Sequence, residues 1–498
     1  MNVNPITRLD YPDPDVIRVE DTYYMVSTTM HFMPGCEILQ SFDLVHWEHA
    51  TYVYETLDHT DAQQLKSGQN IYGQGMWAAS LRYHEGRFYI CFVANDTRKT
   101  YLYTSEKIDG PWKKQLIEGF YHDGSLLFDE DGRNYIVYGN DEIWITELNE
   151  DLTAPKKDGL HRLLVSDHKN PELGYEGSHI QKINGYYYIF LVHSLRDRWM
   201  RTEACFYSDS LEGEFTGGDV LCDDRGYCGQ GVAQGGIVDT PDGKWYAMLF
   251  QDSGAVGRIP ILLPVTWKDH FPIFGQNGHV PEEIEVHSTR PGYIYQPLVG
   301  SDDFCNGLLP RWQFNHDPDP RYYHLDALQG TYTITTREVC TGLTQAVNTL
   351  TQRMSYPSCA AEVTVDASAL KEGDVAGLCA LQGCYAAVGI TKHHGKYEVL
   401  MLDKKEDGIL DMTEGTVVES HQMDFRLEAD FCNMKDEARC YYRVNKGDWL
   451  PIGTVHKLYF KLDHFTGCRF GLFCYAAEET GGSACFRDFK YYDVDEIS

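Results

Sequence analysis

Three acidic residues stand at equivalent places relative to a phrase that recurs along the first half of the chain. Asp13 (in YPDP), Asp123 (in YHDGS) and Glu176 (in YEGSH) each precede by 11 or 12 residues a Tyr that opens an apolar run. Two carboxyl groups that flank a sugar can hydrolyse a glycosidic bond, because one protonates the leaving oxygen and the other activates water. A third carboxylate raises the pKa of a neighbouring acid. These residue types therefore fit acid–base hydrolysis.

The first of these acids lies in a turn bracketed by proline. Pro12 and Pro14 flank Asp13, which removes two amide donors and predicts an extended backbone at the Asp. Any one of the three acids, taken alone, reads as an ordinary loop residue. Three acids at one repeat-equivalent position indicate a function, since clustered like charges are costly in a closed site.

The recurring phrase consists of a hairpin turn, aromatic residues and an apolar strand. Its fourth-position Tyr residues are separated by 65, 46, 53 and 58 residues, which is the size of a four-stranded propeller blade with loops. The turns before it read ED, EG, DG, NG and DG, which favour hairpins. We therefore predict an all-β fold that begins with a five-bladed β-propeller over residues 1–295. The five copies are DTYYM (21–25), GRFYI (86–90), GRNYI (132–136), GYYYI (185–189) and GKWYA (243–247).

Equivalent positions on the innermost strands of a propeller converge on its axis. The same step back from the Tyr of the second and fifth copies reaches Trp77 (in MWAAS) and Gln234 (in AQGG). Five residues that are far apart in sequence, three of them acids, are thus predicted to share one pocket.

The repeat ends near residue 295, and a second domain is predicted over 300–498. Its short alternating runs, split by Gly and Asp turns, are typical of a β-sandwich of the jelly-roll kind. The runs are TYTITT, AAEVTV, YEVLML and HKLYFKL.

The amino-acid composition limits which binding partners and which cellular location are expected. The 498 residues carry a net charge of −31, which argues against nucleic acid or an anionic membrane as partner. The 15 Cys are scattered without a CxxC pair, so free thiols are expected and zinc is not. No run of 18 apolar residues and no leader-like segment is visible, so a cytoplasmic location is expected.

Several quoted segments together resemble family 43 glycoside hydrolases, in particular the β-xylosidase and α-L-arabinofuranosidase members with an added β-sandwich. The resemblance spans residues 4–260 and implies Asp13 as general base, Glu176 as general acid and Asp123 as the carboxylate that tunes the pKa of the acid. It also implies hydrolysis with inversion. The segments are NPITRLDYPDPDVIRVEDTYYMVST, FMPG, SFDLVHW, GMWAASLRYHEGRFY, YHDGSLLFDEDGRNYIVYG, YEGSHIQKINGYYYIF and QGGIVDTPDGKWYAMLFQDSGAVGRIP.

The resemblance also implies further substrate-binding residues. Phe32 and Trp77 are similar to the apolar walls of the subsite for the terminal sugar, for which core packing is the alternative role, and Arg258 in VGRIP is similar to the family's sugar-binding Arg. Many members have a His just before QGG near a central calcium, where this chain has Ala233. That departure argues against a calcium requirement, and no cofactor is expected.

The leading hypothesis is an exo-acting inverting glycosidase that removes terminal β-1,4-xylose or α-L-arabinofuranose from small plant-derived oligosaccharides. The alternatives are a hydrolase of arabinan, galactan or fructan, and a non-catalytic sugar-binding propeller. In the family the second domain can lend a loop to the mouth of the site, for which residues 315–323 or a later Gly-rich loop are candidates. The sequence does not decide whether the protein forms a homo-oligomer.

Overall fold

Five four-stranded antiparallel sheets follow one another along residues 15–274 of the computed structural model, which describes residues 2–413 and 415–493. Within each sheet the strands lie side by side in the order in which they occur in the chain. We name the five sheets blades I to V. Their strands are Asp15–Val19, Thr22–Val26, Gly35–Ser41 and Glu48–Tyr54 in blade I; Met76–His84, Arg87–Ala94, Lys99–Ser105 and Lys113–Ile117 in blade II; Ser125–Phe128, Asn134–Asn140, Glu142–Leu148 and His161–Ser166 in blade III; Glu176–Ile183, Tyr186–Ser194, Arg201–Ser208 and Thr216–Leu221 in blade IV; Val232–Asp239, Trp245–Asp252, Arg258–Lys268 and Phe271–Phe274 in blade V.

The first strands of the five blades contact one another in a closed ring, so they are the innermost strands. Blade V meets blade I through this contact and through Arg18, whose Nη2 lies 2.5 Å from Oδ2 of Asp239. The strand Asn2–Val3 also pairs with Glu283–Ile284, beyond blade V. The predicted five-bladed propeller is confirmed.

The recurring aromatic phrase forms the second strand of every blade. Its Tyr residues pack between blades, and Tyr135 and Tyr188 are 0% and 2% exposed. The turn before the phrase is the hairpin that links the innermost strand to the second strand. This arrangement places residues 11 or 12 positions before each Tyr at or near the start of an innermost strand.

The second domain is a sandwich of two antiparallel sheets, as predicted. One sheet joins Leu410–Met412, Lys396–Lys404, Tyr385–His393, Val375–Leu381, Arg469–Tyr475, Leu350–Arg353, Gln313–Asn315 and Phe32–Met33 in that order, with Thr416–Val418 also on Lys396–Lys404. The other joins Tyr323–Asp326, Thr331–Thr335, Ser483–Asp493, Ser358–Asp366, Gln422–Asp430, Glu437–Val444 and Leu450–Lys457.

Helical structure in residues 2–413 and 415–493 is confined to 3₁₀ turns, namely Lys66–Gly68, Gly254–Val256, Leu343–Gln345 and Cys432–Met434. None of the helices in the described part of the chain could cross a bilayer, since all are too short. The cysteines are unpaired, as expected from their scatter.

The two domains share hydrogen bonds across a wide contact. The propeller strand Phe32–Met33 pairs with Gln313–Asn315 and so completes an edge of the sandwich sheet. Arg353 of the sandwich forms a buried ion pair with Glu37 of blade I, with Nη1 2.8 Å from Oε2. The sandwich is therefore part of the same packed body as the propeller.

Candidate active site

A cavity of about 210 Å³ lies where the innermost strands converge. All five residues that the repeat predicted to meet line it, one from each blade: Asp13, Trp77, Asp123, Glu176 and Gln234. Its other lining residues are His122, Asn140, Leu173, Arg201, Arg258, Leu462 and Phe465. The cavity is smaller than the roughly 300–1,000 Å³ of typical ligand clefts, so it suits a single sugar unit.

Local backbone irregularities turn these side chains into the cavity. Asp13, Asp123 and Gln234 have left-handed φ values of 53°, 49° and 63°. The pairing of innermost and second strands shifts register just after Trp77, just after Glu176 and around Gln234. Such bulges re-aim side chains and recur beside active sites.

The extended backbone predicted for Asp13 is wrong. Its φ of 53° lies in the left-handed region, which Asp tolerates better than most residues. In this conformation the carboxylate has two partners: Nη1 of Arg258 donates to Oδ1 at 2.7 Å, and the Thr28 hydroxyl donates to Oδ2 at 2.5 Å. Asp13 is 3% exposed, and Thr28 is itself held by the Ala78 amide. The turn thus presents two carboxylate oxygens that are fixed in place by hydrogen bonds.

Asp123 and Glu176 form a second group around His122. Nε2 of His122 lies 3.5 Å from Oδ2 of Asp123 and 3.5 Å from Oε2 of Glu176. Nδ2 of Asn140 donates to the same Glu176 oxygen at 2.7 Å. Among the described residues, His122, Asp123 and Glu176 form the one set whose ligand atoms all lie within 4.8 Å of one another and could hold a cation. Asp13 lies outside this set.

Charge and burial shift the pKa values of Asp123, His122 and Glu176 in different directions. Burial, with the charges of Glu176 and Asp13, raises the pKa of Asp123 to about 6. The Asp123 charge, together with Glu176, raises the pKa of His122 to about 9. Burial opposes ionisation of Glu176, but the His122 cation and the nearby arginines lower the pKa of its carboxyl. The group titrates as a unit, and the last carboxyl proton that it loses, near pH 6, is held on the Asp123 side.

Glycine is required beside Glu176. The Gly177 amide donates to Oδ2 of Asp123 at 2.9 Å, with φ of 65°. A Cβ at this position would lie 2.6 Å from Cγ of Gln234. Any larger residue would therefore displace Gln234 from the cavity wall or lose the bond to Asp123.

The predicted residue Arg258 bridges Asp13 and a buried carboxylate. Its Nε donates to Oδ1 of Asp252 at 3.2 Å, while Nε of Arg201 donates to Oδ2 at 3.1 Å. Burial opposes ionisation of Asp252, but these two guanidinium groups lower the pKa of its carboxyl. This arginine pair balances the negative charge of the cavity.

The structure does not place Phe32 on the cavity wall. Its ring is 2% exposed, and the guanidinium carbon of Arg469 lies 3.4 Å from its centroid. Phe32 belongs to the propeller strand that pairs with the sandwich, so the packing role is the one that the structure shows. The structure therefore does not support the predicted role of Phe32 as a wall of the cavity.

The sandwich reaches the cavity through Leu462 and Phe465, which follow the strand Leu450–Lys457. The Phe465 ring centroid lies 3.8 Å from the guanidinium carbon of Arg258 and 5.2 Å from the Trp77 ring. Residues 315–323 do not line the cavity. His316 instead accepts from the Ile71 amide, and Asp317 binds His59 at the domain interface.

Sequence reasoning missed four polar or aromatic lining residues: His122, Asn140, Arg201 and Phe465. His122 could have been found from its place beside Asp123, and Asn140 from its place at the end of the strand that follows. Arg201 lies on a third strand, outside the repeat position that was used, and Phe465 comes from the other domain. No sequence spacing connects these last two to the acids.

Two protein-family models match the chain, one in each domain. The family model "Glycosyl hydrolases family 43" matches residues 3–272, and "Beta xylosidase C-terminal Concanavalin A-like domain" matches residues 301–492.

Individual relatives cover most of the chain. A "Beta-xylosidase" of Formosa agariphila is 27% identical, over 99% of this chain and 89% of its own. A "Non-reducing end alpha-L-arabinofuranosidase BoGH43B" of Bacteroides ovatus is 26% identical, over 66% of this chain and 63% of its own. A solved structure named "Bifunctional GH43-CE" from Bacteroides eggerthii is 41% identical, with a TM-score of 0.91. The match covers all of this chain, which spans 64% of the length of that structure's chain.

Proposed function

The chain belongs to glycosyl hydrolase family 43, and we propose that it is an exo-acting, inverting glycosidase that releases a terminal pentose, β-1,4-linked xylose or α-L-arabinofuranose, from small oligosaccharides. The observation that carries the proposal is the meeting of Asp13, Asp123 and Glu176 in one small cavity. The division of these carboxylates into two separately held groups supports two different roles.

Asp13 is the proposed general base. Arg258 and Thr28 both donate to its carboxylate and hold its two oxygens in place. A carboxylate oxygen held in this way can accept the proton of a water that attacks the anomeric carbon. Inversion then follows because the water enters opposite to the leaving group.

Glu176 is the proposed general acid. Its side chain is 17% exposed, against 7% for Asp123, so it is the member of the pair that substrate reaches more easily. Asp123 and His122 hold the proton beside it in the free protein. Binding of the leaving oxygen against Glu176 favours the protonated form of that carboxyl, since it then donates a hydrogen bond. Asp123 acts as the proton partner and pKa modulator.

The small volume of the cavity supports exo action. Its volume suits one sugar ring, and Leu462 and Phe465 from the sandwich complete its wall. The names of the relatives support pentose substrates, and xylose and arabinofuranose present similar groups at the reacting carbon. The proposed chemistry uses side chains of this chain alone.

Paired aryl glycosides test the proposal. We expect release of 4-nitrophenol from the β-D-xyloside, the α-L-arabinofuranoside or both, and NMR of the first-formed sugar should show the anomer opposite to that of the substrate. Hydrolysis of a galactoside or fructoside alone would favour the other glycosidases named above. Sugar binding without any hydrolysis would favour a non-catalytic propeller.

A pH profile tests the coupled proton. Because the carboxyl pair loses its proton near pH 6, we expect kcat/KM on oligosaccharides to fall about tenfold per pH unit above that midpoint. An aryl glycoside with a good leaving group needs less protonation, so its decline should begin at higher pH. Steady-state rates on both substrates from pH 4 to 9 check this, and coincident declines would contradict it.

Removal of Phe465 tests the contribution of the sandwich. Phe465→Ala deletes the ring stacked on Arg258 and opens the wall, so kcat/KM should fall on the order of tenfold. Tyr459→Phe, which loses only a hydroxyl bonded to Asp463, is the matched control and should keep wild-type kinetics. An Ala variant with unchanged kcat/KM and a lowered Tm would leave the sandwich a purely structural role.

A further inference from the structure

Arg201 is a charged residue at the cavity whose charge lowers the pKa of Glu176 but whose hydrogen-bond donors neither acid–base role uses. It begins the third strand of blade IV, is 1% exposed and belongs to the cavity lining. The sequence pattern did not single it out, because the repeat places only innermost strands at the axis.

The surroundings hold the Arg201 guanidinium in one place. Nε donates to Asp252, and the guanidinium carbon lies 5.2 Å and 5.3 Å from the ring centroids of Trp199 and Phe250. Asp252 is fixed in turn by Arg258. A charged fork held by one carboxylate and two aromatic rings loses little conformational freedom when it binds a ligand.

The same guanidinium has an unmet hydrogen-bonding capacity. Within the described part of the chain, Nη1 of Arg201 is buried without a hydrogen-bond partner, and so is Oε1 of Gln234 on the same cavity wall. Partnerless nitrogens of other buried arginines belong to Arg337, Arg353 and Arg469, which lie in the sandwich and outside the cavity lining. An unpaired charged donor is costly to bury, and of these four arginines only Arg201 lines a cavity where a ligand can supply the missing acceptor.

A sugar hydroxyl supplies the chemistry that this wall lacks, because it can accept from a guanidinium and donate to an amide oxygen. We propose that Arg201 donates a hydrogen bond to one hydroxyl of the terminal sugar, away from the reacting bond, and thereby selects sugars that carry that hydroxyl. This inference rests on the proposed glycosidase function. Sites built around a hydroxyl discriminate strongly against analogues that lack it, since their polar groups are then left unpaired.

The test is a cycle that varies protein and substrate together. Wild type and Arg201→Met are assayed on the parent aryl glycoside and on its monodeoxy analogues. We expect Arg201→Met to lower kcat/KM on the parent on the order of 10- to 100-fold. On one deoxy analogue, to which wild type already shows a similar loss, the substitution should cause little further change. Equal losses on every analogue would overturn the proposal, because they would show an effect that involves no hydroxyl.

Two controls keep the result interpretable. Arg201→Lys retains a charge beside Asp252 and should show the same pattern with a smaller loss. It takes the place of Arg201→Met in the cycle if that variant proves unstable in thermal unfolding. Arg162→Met removes an arginine whose Nη1 bonds only backbone oxygens of Leu211 and Gly213, outside the cavity, and should leave all ratios unchanged.

Failure of the pentose proposal can be distinguished from failure of the proposal for Arg201. The cycle uses whichever glycoside wild type hydrolyses in a panel of xyloside, arabinofuranoside, galactoside and fructoside. If none is hydrolysed, the same variants are titrated with the free sugars and their deoxy forms by Trp fluorescence. Loss of affinity confined to one hydroxyl would support the role of Arg201, and uniform or absent loss would overturn it.

Discussion

Asp13→Asn is expected to lower kcat by about 10²- to 10⁴-fold with a well-folded protein. The amide has the size of the carboxylate, so its oxygen can still accept from Arg258 and its Nδ2 can donate to the Thr28 hydroxyl oxygen. It cannot take a proton from water, and the chemical step should fail while binding survives. Initial rates on the aryl pentosides measure the loss, and Trp fluorescence titration with the released sugar measures binding.

The matched control is Asp239→Asn, which removes an ion-paired carboxylate of blade V that lies outside the cavity. Its kcat should equal that of wild type. If Asp13→Asn kept more than a tenth of wild-type kcat on every substrate, Asp13 could not be the base, and the role of its ion pair with Arg258 would be structural.

Glu176→Gln should separate substrates by the quality of their leaving groups. On oligosaccharides, whose leaving alcohol must be protonated, we expect kcat/KM to fall about 10²- to 10⁴-fold. On an aryl glycoside with an acidic phenol the loss should be at least tenfold smaller, since that phenolate leaves with little assistance. The amide oxygen can still accept from Asn140, so the local geometry should persist.

The pH profile of the same variant gives a second readout. With the acid removed, the decline above pH 6 should flatten for the aryl glycoside. Glu172→Gln, an exposed acid four residues earlier in the chain, is the control and should behave as wild type. Equal losses on both kinds of substrate would contradict the assignment and would point to Glu176 as a binding residue.

The repeat in the sequence predicted the fold and the convergence of five cavity residues because both depend on strand order. A propeller brings equivalent strand positions to its axis whatever the side chains are. How Asp13 faces the cavity was not predictable in this way, since proline neighbours favour extended backbone while its bonds to Arg258 and Thr28 are made from a left-handed one.

Residues that reach the cavity from elsewhere escaped prediction for a different reason. Arg201 lies on a third strand, and Phe465 belongs to the other domain, so neither shares a period with the acids. Phe32 was assigned to the pocket wall by family resemblance, and an apolar residue fits a pocket wall and a domain contact equally well. Only the pairing of its strand with Gln313–Asn315 decides between them.

The shared edge between the domains sets an order of events during synthesis. Ribosomes extend a chain at roughly 5–20 residues per second, and domains fold from the N-terminal side. All three carboxylates and Arg258 therefore emerge well before Phe465, by roughly 10–40 s at that rate. The Phe32–Met33 edge can pair once Gln313–Asn315 has emerged, whereas the cavity lacks part of its wall until Phe465 follows. The nascent propeller thus carries its reacting groups in an unfinished cleft, and its maturation waits for synthesis of the sandwich segment that contains Phe465.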